Sequence, residues 1–365
     1  MTGPKENSTP SWLAGCPLPK MHHDQITLGH GSGGWLTTEL INKLFLPAFD
    51  NEVLAALEDQ ATLTLPPNTN ADSQQPPDLA FTTDSFVVRP LFFRGGDIGR
   101  LAVHGTVNDL AVGGAKPLFL SAAFILEEGL AIEDLRRIVQ SMQEACLEAN
   151  VKLVTGDTKV VDRGKGDQVF ITTTGLGVRY ASQTLSVRAA KPGDKILVSG
   201  TIGDHGIAIM SVREGLEFET VLESDTASLA DLTRVMLDAC ASIRWMRDPT
   251  RGGVSSALNE LATASKVGIE ISEAALPIRQ EVRGACEMLG LDPLYVANEG
   301  KLLAIVAPED ADALLATMRS HPLGTNAAII GSVVENHPTI VTIKSLVGGE
   351  RMVPLLTGEQ LPRIC

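Results

Sequence analysis

The sequence lacks long hydrophobic runs, a net basic charge and closely spaced cysteine pairs. Its longest apolar run, residues 118–126, is about half the length of a membrane-crossing helix, and the first residues contain no hydrophobic signal segment. We therefore expect a cytoplasmic protein that does not span a membrane. Acidic residues outnumber basic ones by 44 to 30 and give a formal charge of −14, which disfavours nucleic acid as a partner because both would be negatively charged.

The five cysteines, at positions 16, 146, 240, 286 and 365, show no paired metal-ligand spacing, so we expect reduced thiols. Cys146 lies on the apolar face of a predicted amphipathic helix and is interpreted as a core residue. Cys365 differs, because it is the last residue of the sequence and follows a segment rich in glycine and proline. Such a tail can reach a distant active site, in its own chain or in a neighbouring copy.

A length of 365 residues exceeds one small core and predicts two domains. Strand-like and helical patterns occur in both halves, which indicates an α+β fold. Residues 64–78, rich in proline and asparagine, are expected to form a solvated loop. The predicted boundaries are a flexible extension at 1–25, an N-terminal domain at 26–178, a C-terminal domain at 190–346 and a flexible tail at 347–365.

Residues 96–114 are predicted to form a helix that ends at a pair of glycines. At about 100° per residue, one narrow stripe of this helix carries four polar side chains and the rest is mostly small or apolar. The stripe consists of Asp97, Arg100, His104 and Asn108. This pattern predicts a mostly buried helix that lines a site; the alternative is that the stripe faces water.

Three acidic residues accompany this helix or the predicted strands. Asp84 lies inside the predicted strand 81–88, Asp109 follows Asn108, and Asp157 comes just after the predicted strand 151–154. A carboxylate in an apolar strand is costly to bury unless it is paired or bound to a metal. If these carboxylates converge, they suit Mg²⁺, which binds through a few carboxylates, waters and substrate phosphates.

Four further segments are rich in glycine or polar residues and adjoin regular elements. The first, Gly-His-Gly-Ser-Gly-Gly at 29–34, precedes a helical pattern and offers backbone N–H groups to an anion, although it lacks the lysine of a P-loop. The others are 155–159, 247–253 and 298–301. Each of them, taken alone, is also typical of an ordinary turn.

Taken together, these segments, the 96–114 helix and the ending Pro362-Arg363-Ile364-Cys365 resemble the signature blocks of the HypE family of hydrogenase maturation factors. The resemblance runs from about residue 26 to the end. The blocks in the body also resemble other members of the aminoimidazole ribonucleotide synthetase-like (PurM-like) superfamily, including selenophosphate synthetase and thiamine monophosphate kinase. The terminal cysteine separates HypE from them. The extension and the 64–78 loop depart from the family pattern and touch no motif residue.

The resemblance implies two PurM-like α+β domains, with strands of the N-terminal domain forming a barrel in a homodimer and ATP bound in the cleft between domains. It also implies an enzyme that carries its own substrate. A HypF carbamoyltransferase would load a carbamoyl group onto Cys365, and ATP would drive its dehydration to a thiocyanate. The cyano group would pass to a HypC–HypD complex for the iron of [NiFe]-hydrogenase.

The same resemblance suggests roles for individual residues. Glu299 is the expected base that removes protons from the amide nitrogen, and Lys159 is its partner or stabilises charge on the oxygen. Mg²⁺ is expected on Asp84, Asp97 and Asp109. The expected ATP-binding residues are Asp59, Asp84, Asp97, His104, Asn108, Asp109, Asp157, Gly33, Gly34, Asp248 and Thr250. The alternative function is a non-catalytic carrier that presents Cys365 to partners and uses nucleotide as a conformational signal.

Overall fold

The computed structural model describes residues 33–45, 54–58, 61–63, 78–180, 184–215, 222–356 and 363–365. The predicted extension at 1–25, nearly all of the predicted 64–78 loop, and Asp59 lie outside these ranges. Among the residues that the structure describes, none of the helices combines the length and the hydrophobicity that crossing a membrane requires.

The N-terminal domain is built on a five-stranded sheet with the order β1-β2-β7-β5-β6, in which only the β5–β6 pair is parallel. A two-stranded ribbon, β3–β4, leads into the central helix. In chain order the elements are α1 (Trp35–Leu40), β1 (Ala61–Leu63), β2 (Leu79–Phe86), β3 (Phe92–Phe93), β4 (Gly96–Asp97), α2 (Ile98–Val112), β5 (Ala115–Glu127), α3 (Ile132–Glu148), β6 (Lys152–Val161) and β7 (Val169–Arg179).

Helix α2 is the centre of this domain and packs on β2, β5, β7 and α3. All of its residues are buried except Arg100 and Asp109, as its small and apolar composition predicts. Helix α3 is amphipathic and buries Ile138, Met142, Ala145 and Cys146, which confirms Cys146 as a core residue. The helices therefore cover one face of the sheet and form its hydrophobic core.

The other face of the sheet is exposed within the part of the chain that the structure describes. Phe81 of β2 is 43% exposed, and Phe119 and Ile125 of β5 are exposed to a similar extent. Nearly every residue of the edge strand β6 is exposed. The prediction that this strand ends at residue 154 is wrong: β6 continues to Val161, because it pairs in parallel with residues 119–127 of β5. Asp157 therefore lies inside a strand.

The C-terminal domain is built on a seven-stranded sheet with the order β14-β13-β10-β12-β8-β11-β9, in which only β10–β13 is parallel. Strand β11 is fully buried, β8 is buried except at its first residue, and the sheet carries a large apolar core. In chain order the elements are β8 (Lys195–Val198), α4 (Asp204–Glu214), α5 (Ala230–Ala239), β9 (Ile243–Arg247), α6 (Gly253–Ser265), β10 (Gly268–Ser272), α7 (Gln280–Leu289), β11 (Leu303–Val306), α8 (Ala311–Ser320), β12 (Ala328–Val334), β13 (Val341–Lys344) and β14 (Glu350–Met352).

The C-terminal segment is more ordered than the sequence predicts. Strand β14 pairs with β13, and Val353 and Leu356 beyond it are buried. The Leu356 carbonyl accepts a hydrogen bond from the Trp35 N–H at 2.9 Å, which ties this segment to α1. The last three residues lie against the N-terminal domain. In this conformation the described parts of the predicted flexible tail, 347–356 and 363–365, are docked on the two domains.

Candidate active site

The last three residues run along the chain that follows β2. The Arg363 carbonyl accepts a hydrogen bond from the Arg89 N–H, and the Cys365 carbonyl accepts one from the Val87 N–H, both at 3.1 Å. The Ile364 side chain is 5% exposed and packs into the core of the N-terminal domain. The backbone bonds and the buried isoleucine together fix where the terminal thiol points.

The Cys365 thiol points into a small cavity of about 30 Å³ at the junction of the two domains. Strand β2 and helix α2 form one wall, and the loops after β9 and before β11 form the other. The lining residues are Asp84, Ser85, Phe86, Gly105, Asp109, Asp248, Thr250, Arg251, Glu299 and Cys365. Two separate domains and the C-terminus are therefore all needed to build this site.

The docked Cys365 thiol lies beside the Glu299 carboxyl in this cavity, close enough for the carboxyl to affect its pKa. Burial raises the pKa of the thiol above its ordinary value, the nearby charges of Glu299 and Asp84 raise it further, and the Arg251 guanidinium only partly opposes them. In this position Cys365 is a protonated thiol. It is therefore poorly suited to act as a nucleophile while docked.

Glu299 is 1% exposed, and its Oε1 atom has no hydrogen-bond partner. Burial raises its pKa well above the ordinary value, the charges of Asp248 and Asp225 add to the shift, and Arg251 opposes it. Its main chain is held on both sides: the N–H donates to Asp225 Oδ1 at 3.1 Å, and the carbonyl accepts from Asn108 Nδ2 at 3.0 Å. A fixed carboxyl with a raised pKa thus lies beside the thiol.

Asp84 and Asp109 are brought together, as predicted, and their side chains share a hydrogen bond. Thr106 Oγ1 donates to Asp84 at 3.1 Å, and Thr82 Oγ1 donates to Asp109 at 2.8 Å. Burial raises the pKa of Asp84, and the charge of Arg251 partly offsets this. Adjacent buried carboxylates held by hydroxyl groups fit a hard divalent cation such as Mg²⁺, because its charge would relieve their mutual repulsion.

Asp97, the third predicted metal ligand, lies elsewhere. Its Oδ1 caps the N-terminus of α2 by accepting hydrogen bonds from Gly99 N at 2.7 Å and Arg100 N at 3.1 Å. Among the described residues, the one set of three metal-binding side chains with close ligand atoms is Glu270, His337 and Glu350, far from this site in the C-terminal sheet. The predicted trio of Asp84, Asp97 and Asp109 is therefore not assembled.

Asp97 lines a second, larger cavity of about 540 Å³ between the β3–β4 ribbon and α3. Arg100 and Thr226 line the same cavity, and the Arg137 guanidinium stacks on the Phe92 ring at 3.8 Å. A flat aromatic surface beside cationic and hydroxyl groups can accommodate the base and sugar of a nucleotide.

The polar stripe of α2 faces the C-terminal domain rather than water, which removes the alternative. His104 Nδ1 lies 3.2 Å from Thr226 Oγ1. Asn108 Nδ2 donates to the carbonyls of Ala227 and Glu299 at 3.0 Å each, and its Oδ1 accepts from Leu229 N at 2.7 Å. Burial lowers the pKa of His104 to about 4, so this ring is neutral. Asn108 acts as a clamp that holds Glu299 against the N-terminal domain.

Asp157 and Lys159 are not in the cavity of their own chain. Both project from β6 into solvent, with side chains 65% and 72% exposed, and they pair with each other at 3.2 Å. The expected contact of Lys159 with Glu299 is absent among the described residues of a single chain.

The predicted anion site at Gly33 and Gly34 differs from what the structure contains. The Gly33 N–H donates to Thr37 Oγ1 at 3.0 Å, and the Trp35 N–H is used by Leu356. Gly33 has a φ of +72°, and a Cβ there would lie 2.8 Å from the Arg251 carbonyl oxygen. In this conformation Gly33 lets the chain pass close behind Arg251, a cavity residue, and Gly34 lets it pass close to the Leu356 carbonyl.

Sequence reasoning missed two residues of the site. Arg251 lies in the quoted segment 247–253 but was assigned no role; its pKa is raised, mainly by its proximity to Cys365. His205 lies at the start of α4, a helix that was not predicted, and binds the Ile364 carbonyl at 2.8 Å. The sequence signal that could have identified Arg251 is its position beside Asp248 and Thr250. No local sequence signal identifies His205.

Two family models match the chain: the N-terminal domain of AIR synthase related protein over residues 58–179, and its C-terminal domain over 191–344. The carbamoyl dehydratase HypE of Cupriavidus necator is 55% identical over 93% of this chain and 95% of its own length. That of Escherichia coli is 49% identical over 94% of this chain and 100% of its own length. The chain belongs to the HypE family of AIR synthase-related proteins.

Solved HypE structures share the fold. One, from a HypE–HypF complex, has a TM-score of 0.79 and 48% identity and covers 87% of this chain and 99% of that one. Another, in complex with ATP, has a TM-score of 0.77 and 47% identity and covers 93% of this chain and 100% of that one. A thiamine monophosphate kinase from Aquifex aeolicus, at 21% identity and a TM-score of 0.60, has the same fold. The two-domain PurM-like α+β fold and the HypE family are both confirmed.

Proposed function

We propose that this chain is an ATP-dependent carbamoyl dehydratase whose substrate is an S-carbamoyl group on its own Cys365. The observation that carries the proposal is the docked thiol, which meets the Glu299 carboxyl inside the cavity between the domains. The relatives named carbamoyl dehydratase and the HypE structure with ATP support the same chemistry.

The proposed reaction removes the elements of water from the thiocarbamate. Its carbonyl oxygen attacks the γ-phosphorus of ATP, and the bond from that phosphorus to ADP breaks. The nitrogen then loses both protons while the carbon–oxygen bond to the phosphate breaks, which leaves a thiocyanate on the sulfur. ATP is needed because the oxygen of a carboxamide is a poor leaving group and phosphate is a good one.

In this proposal Glu299 takes protons from the amide nitrogen. Its raised pKa makes it a strong base once it is ionised, and it must lose its own proton before the step. Arg251, also in the cavity, stabilises negative charge on the substrate oxygen and favours the ionised carboxylate. Asp248 and Thr250, on the same wall as Arg251, contact the phosphates of the nucleotide.

We place the base and sugar of ATP in the larger cavity beside Phe92 and Arg100, with the phosphates directed toward Asp84 and Asp109. These two carboxylates would hold Mg²⁺. The ion would supply positive charge against the phosphates in a protein with an acidic excess. The cavity around Cys365, at about 30 Å³, has room for only about two or three water molecules, so the carbamoyl and phosphate groups require it to widen.

The exposed face of the N-terminal sheet supports a homodimer in which the sheets of two copies form a barrel. Phe81, Phe119 and Ile125 would be buried there, and exposed apolar patches of this kind mark interaction surfaces. In such a dimer Asp157 and Lys159 would lie near the second copy, because β6 is at the open edge of that sheet. We propose that Lys159 serves a cavity in the dimer rather than the cavity of its own chain.

HypF is the proposed carbamoyl donor, in line with the HypE–HypF complex among the related structures, and a HypC–HypD complex is the proposed acceptor of the cyano group. Loading must take place with the tail undocked, since the docked thiol is buried and protonated. We propose that the reaction takes place in the cytoplasm, which agrees with the free thiols of Cys146, Cys240, Cys286 and Cys365.

Mass spectrometry of the C-terminal peptide, after incubation with HypF, a carbamoyl donor and ATP, tests the proposal. A dehydratase converts the carbamoylated peptide to the thiocyanate and releases ADP in proportion. A carrier, the alternative function, leaves the carbamoyl group intact and releases ADP only at a rate that does not depend on Cys365.

A further inference from the structure

The tail is held by hydrogen bonds from both domains. The carbonyls of Arg363 and Cys365 face the chain after β2 and accept hydrogen bonds from its N–H groups. The Ile364 carbonyl faces the other way, into the C-terminal domain, where its partner is His205 Nε2 at 2.8 Å. Among the described residues, two side chains of α4 donate to tail carbonyls: the buried His205 to Ile364 and the more exposed Arg213 to Arg363.

The ring of His205 is fixed in orientation and tautomer. Because Nε2 donates to a carbonyl, Nε2 must carry a proton, and Nδ1 at 2.8 Å from Ser224 Oγ must accept one. Ser224 is free to donate, since its oxygen accepts from the Thr226 N–H at 3.2 Å. The edge of the Phe93 ring packs on the imidazole, with centroids 5.7 Å apart and planes at 87°. The side chain is fully buried.

His205 is also tied to the segment that carries Glu299. The residue after it, Gly206, donates its N–H to the Ala297 carbonyl at 3.1 Å, and Gly203 donates to Asn298 Oδ1 at 2.8 Å. The start of α4 and the Glu299 loop are therefore hydrogen-bonded to each other. The imidazole Nε2 lies 4.0 Å from Glu299 Oε1, too far for a hydrogen bond, so the ring acts on the tail and not on the base.

We infer that His205 is a positioning residue that holds the Cys365 sulfur at Glu299 through the carbonyl of Ile364. The inference rests on the proposed dehydration, for which the two groups must meet. Its structural part, the hold on the tail, can be tested without any carbamoyl chemistry.

The test is alkylation of the thiols in the intact protein, followed peptide by peptide. His205→Leu replaces the imidazole by an apolar side chain of similar reach and so removes the hydrogen-bond donor. We expect Cys365 to react about 5- to 100-fold faster, the factor that corresponds to a hydrogen bond lost at a buried carbonyl. Cys146, Cys240 and Cys286, all buried in the core, should keep their rates and so report that the fold is intact. His205→Gln, whose amide can donate, should restore part of the protection.

The control is His321→Leu, the same change at a partly buried ring that contacts Asp231 and the Leu323 N–H instead of the tail. It should leave the rate of Cys365 unchanged. An unchanged Cys365 rate in His205→Leu would overturn the inference, and so would a parallel rise at all four cysteines, because the ring would then support only the fold.

The catalytic part is read from the same variants in the HypF and ATP assay. Slower thiocyanate formation in His205→Leu, with normal carbamoyl loading and partial recovery in His205→Gln, supports the inference. Loss of protection with normal thiocyanate formation overturns it. If the wild-type protein forms no thiocyanate, the proposed function fails, while the alkylation result still decides whether His205 holds the tail.

Discussion

The Cys365 thiol and the Glu299 carboxyl meet in a cavity that neither domain builds alone. The thiol arrives with the C-terminus along the N-terminal domain, and the carboxyl arrives on a loop of the C-terminal domain. Both pKa values are raised in this arrangement, mainly by burial. The cavity therefore suits a neutral group that is already on the sulfur, such as a carbamoyl loaded before docking, rather than thiolate chemistry.

Replacing Cys365 by alanine should abolish thiocyanate formation and leave binding of Mg-ATP nearly unchanged. The thiol is the carrier of the substrate, whereas the residues proposed for the nucleotide lie in the body of the two domains. Calorimetric titration with Mg-ATP, compared with wild type, checks this. Loss of ATP binding in Cys365→Ala would show that the tail helps to build the nucleotide site.

Replacing Asp109 by asparagine should weaken Mg-ATP binding by about tenfold or more and leave the free energy of unfolding unchanged or slightly higher. The change removes a proposed metal ligand and also relieves repulsion between Asp109 and Asp84. Binding measured at a series of Mg²⁺ concentrations checks the first part, and urea denaturation the second.

Asp97→Asn is the matched control for this experiment. Asparagine caps a helix about as well as aspartate, so the N-terminus of α2 should remain intact. Mg²⁺ dependence should stay close to that of wild type, because Asp97 does not lie with Asp84 and Asp109. Equal losses in both variants would restore Asp97 as a metal ligand.

Replacing Glu299 by glutamine should stabilise the protein increasingly as the pH rises. Burial raises the pKa of Glu299, so the folded state binds this proton more tightly than the unfolded chain. The wild type therefore loses stability as the pH rises above 4.5, the ordinary value, towards the raised pKa, and the glutamine variant does not. Urea denaturation at several pH values measures the difference.

Glu350→Gln, at an exposed position of β14, serves as the control and should show no such trend. A constant difference between wild type and Glu299→Gln across the pH range would mean that Glu299 is ionised in the folded protein. The general base would then need no prior loss of a proton.

Replacing Asn108 by alanine should lower the free energy of unfolding by about 2–5 kcal/mol, since three buried hydrogen bonds to the C-terminal domain are lost. Thiocyanate formation should fall as well, because the Glu299 carbonyl loses its anchor. The exposed residue Asn326 offers a control, for which a change within about 0.5 kcal/mol is expected. A small effect at Asn108 would show that the two domains are held together elsewhere.

Local patterns predicted the buried helix α2 and the convergence of Asp84 with Asp109, because periodicity and desolvation cost act within a few residues of the chain. Asp97 was misassigned: its position fits both a metal ligand and an N-cap, and only the position of the neighbouring elements decides. Strand β6 was cut short because its length depends on its pairing with β5. The contact of His205 with Ile364 spans 159 residues and left no mark in the local sequence.

Glu299 was identified through the family resemblance, and the structure adds a physical reason for its importance. A carboxyl that is 1% exposed, with one oxygen unpartnered, is costly in any protein. Such a cost is typical of a functional site. The place of Lys159 could not be predicted from one chain, because it depends on how two copies associate.

The most direct test of the account is intact mass measurement of the C-terminal peptide in wild type and Glu299→Gln, after both are incubated with HypF, a carbamoyl donor and ATP. We predict that the wild type carries the thiocyanate and that the variant retains the carbamoyl group on Cys365, with dehydration slowed by about 10²- to 10⁴-fold, as for loss of a general base. Thiocyanate formed at the wild-type rate in Glu299→Gln would contradict the account.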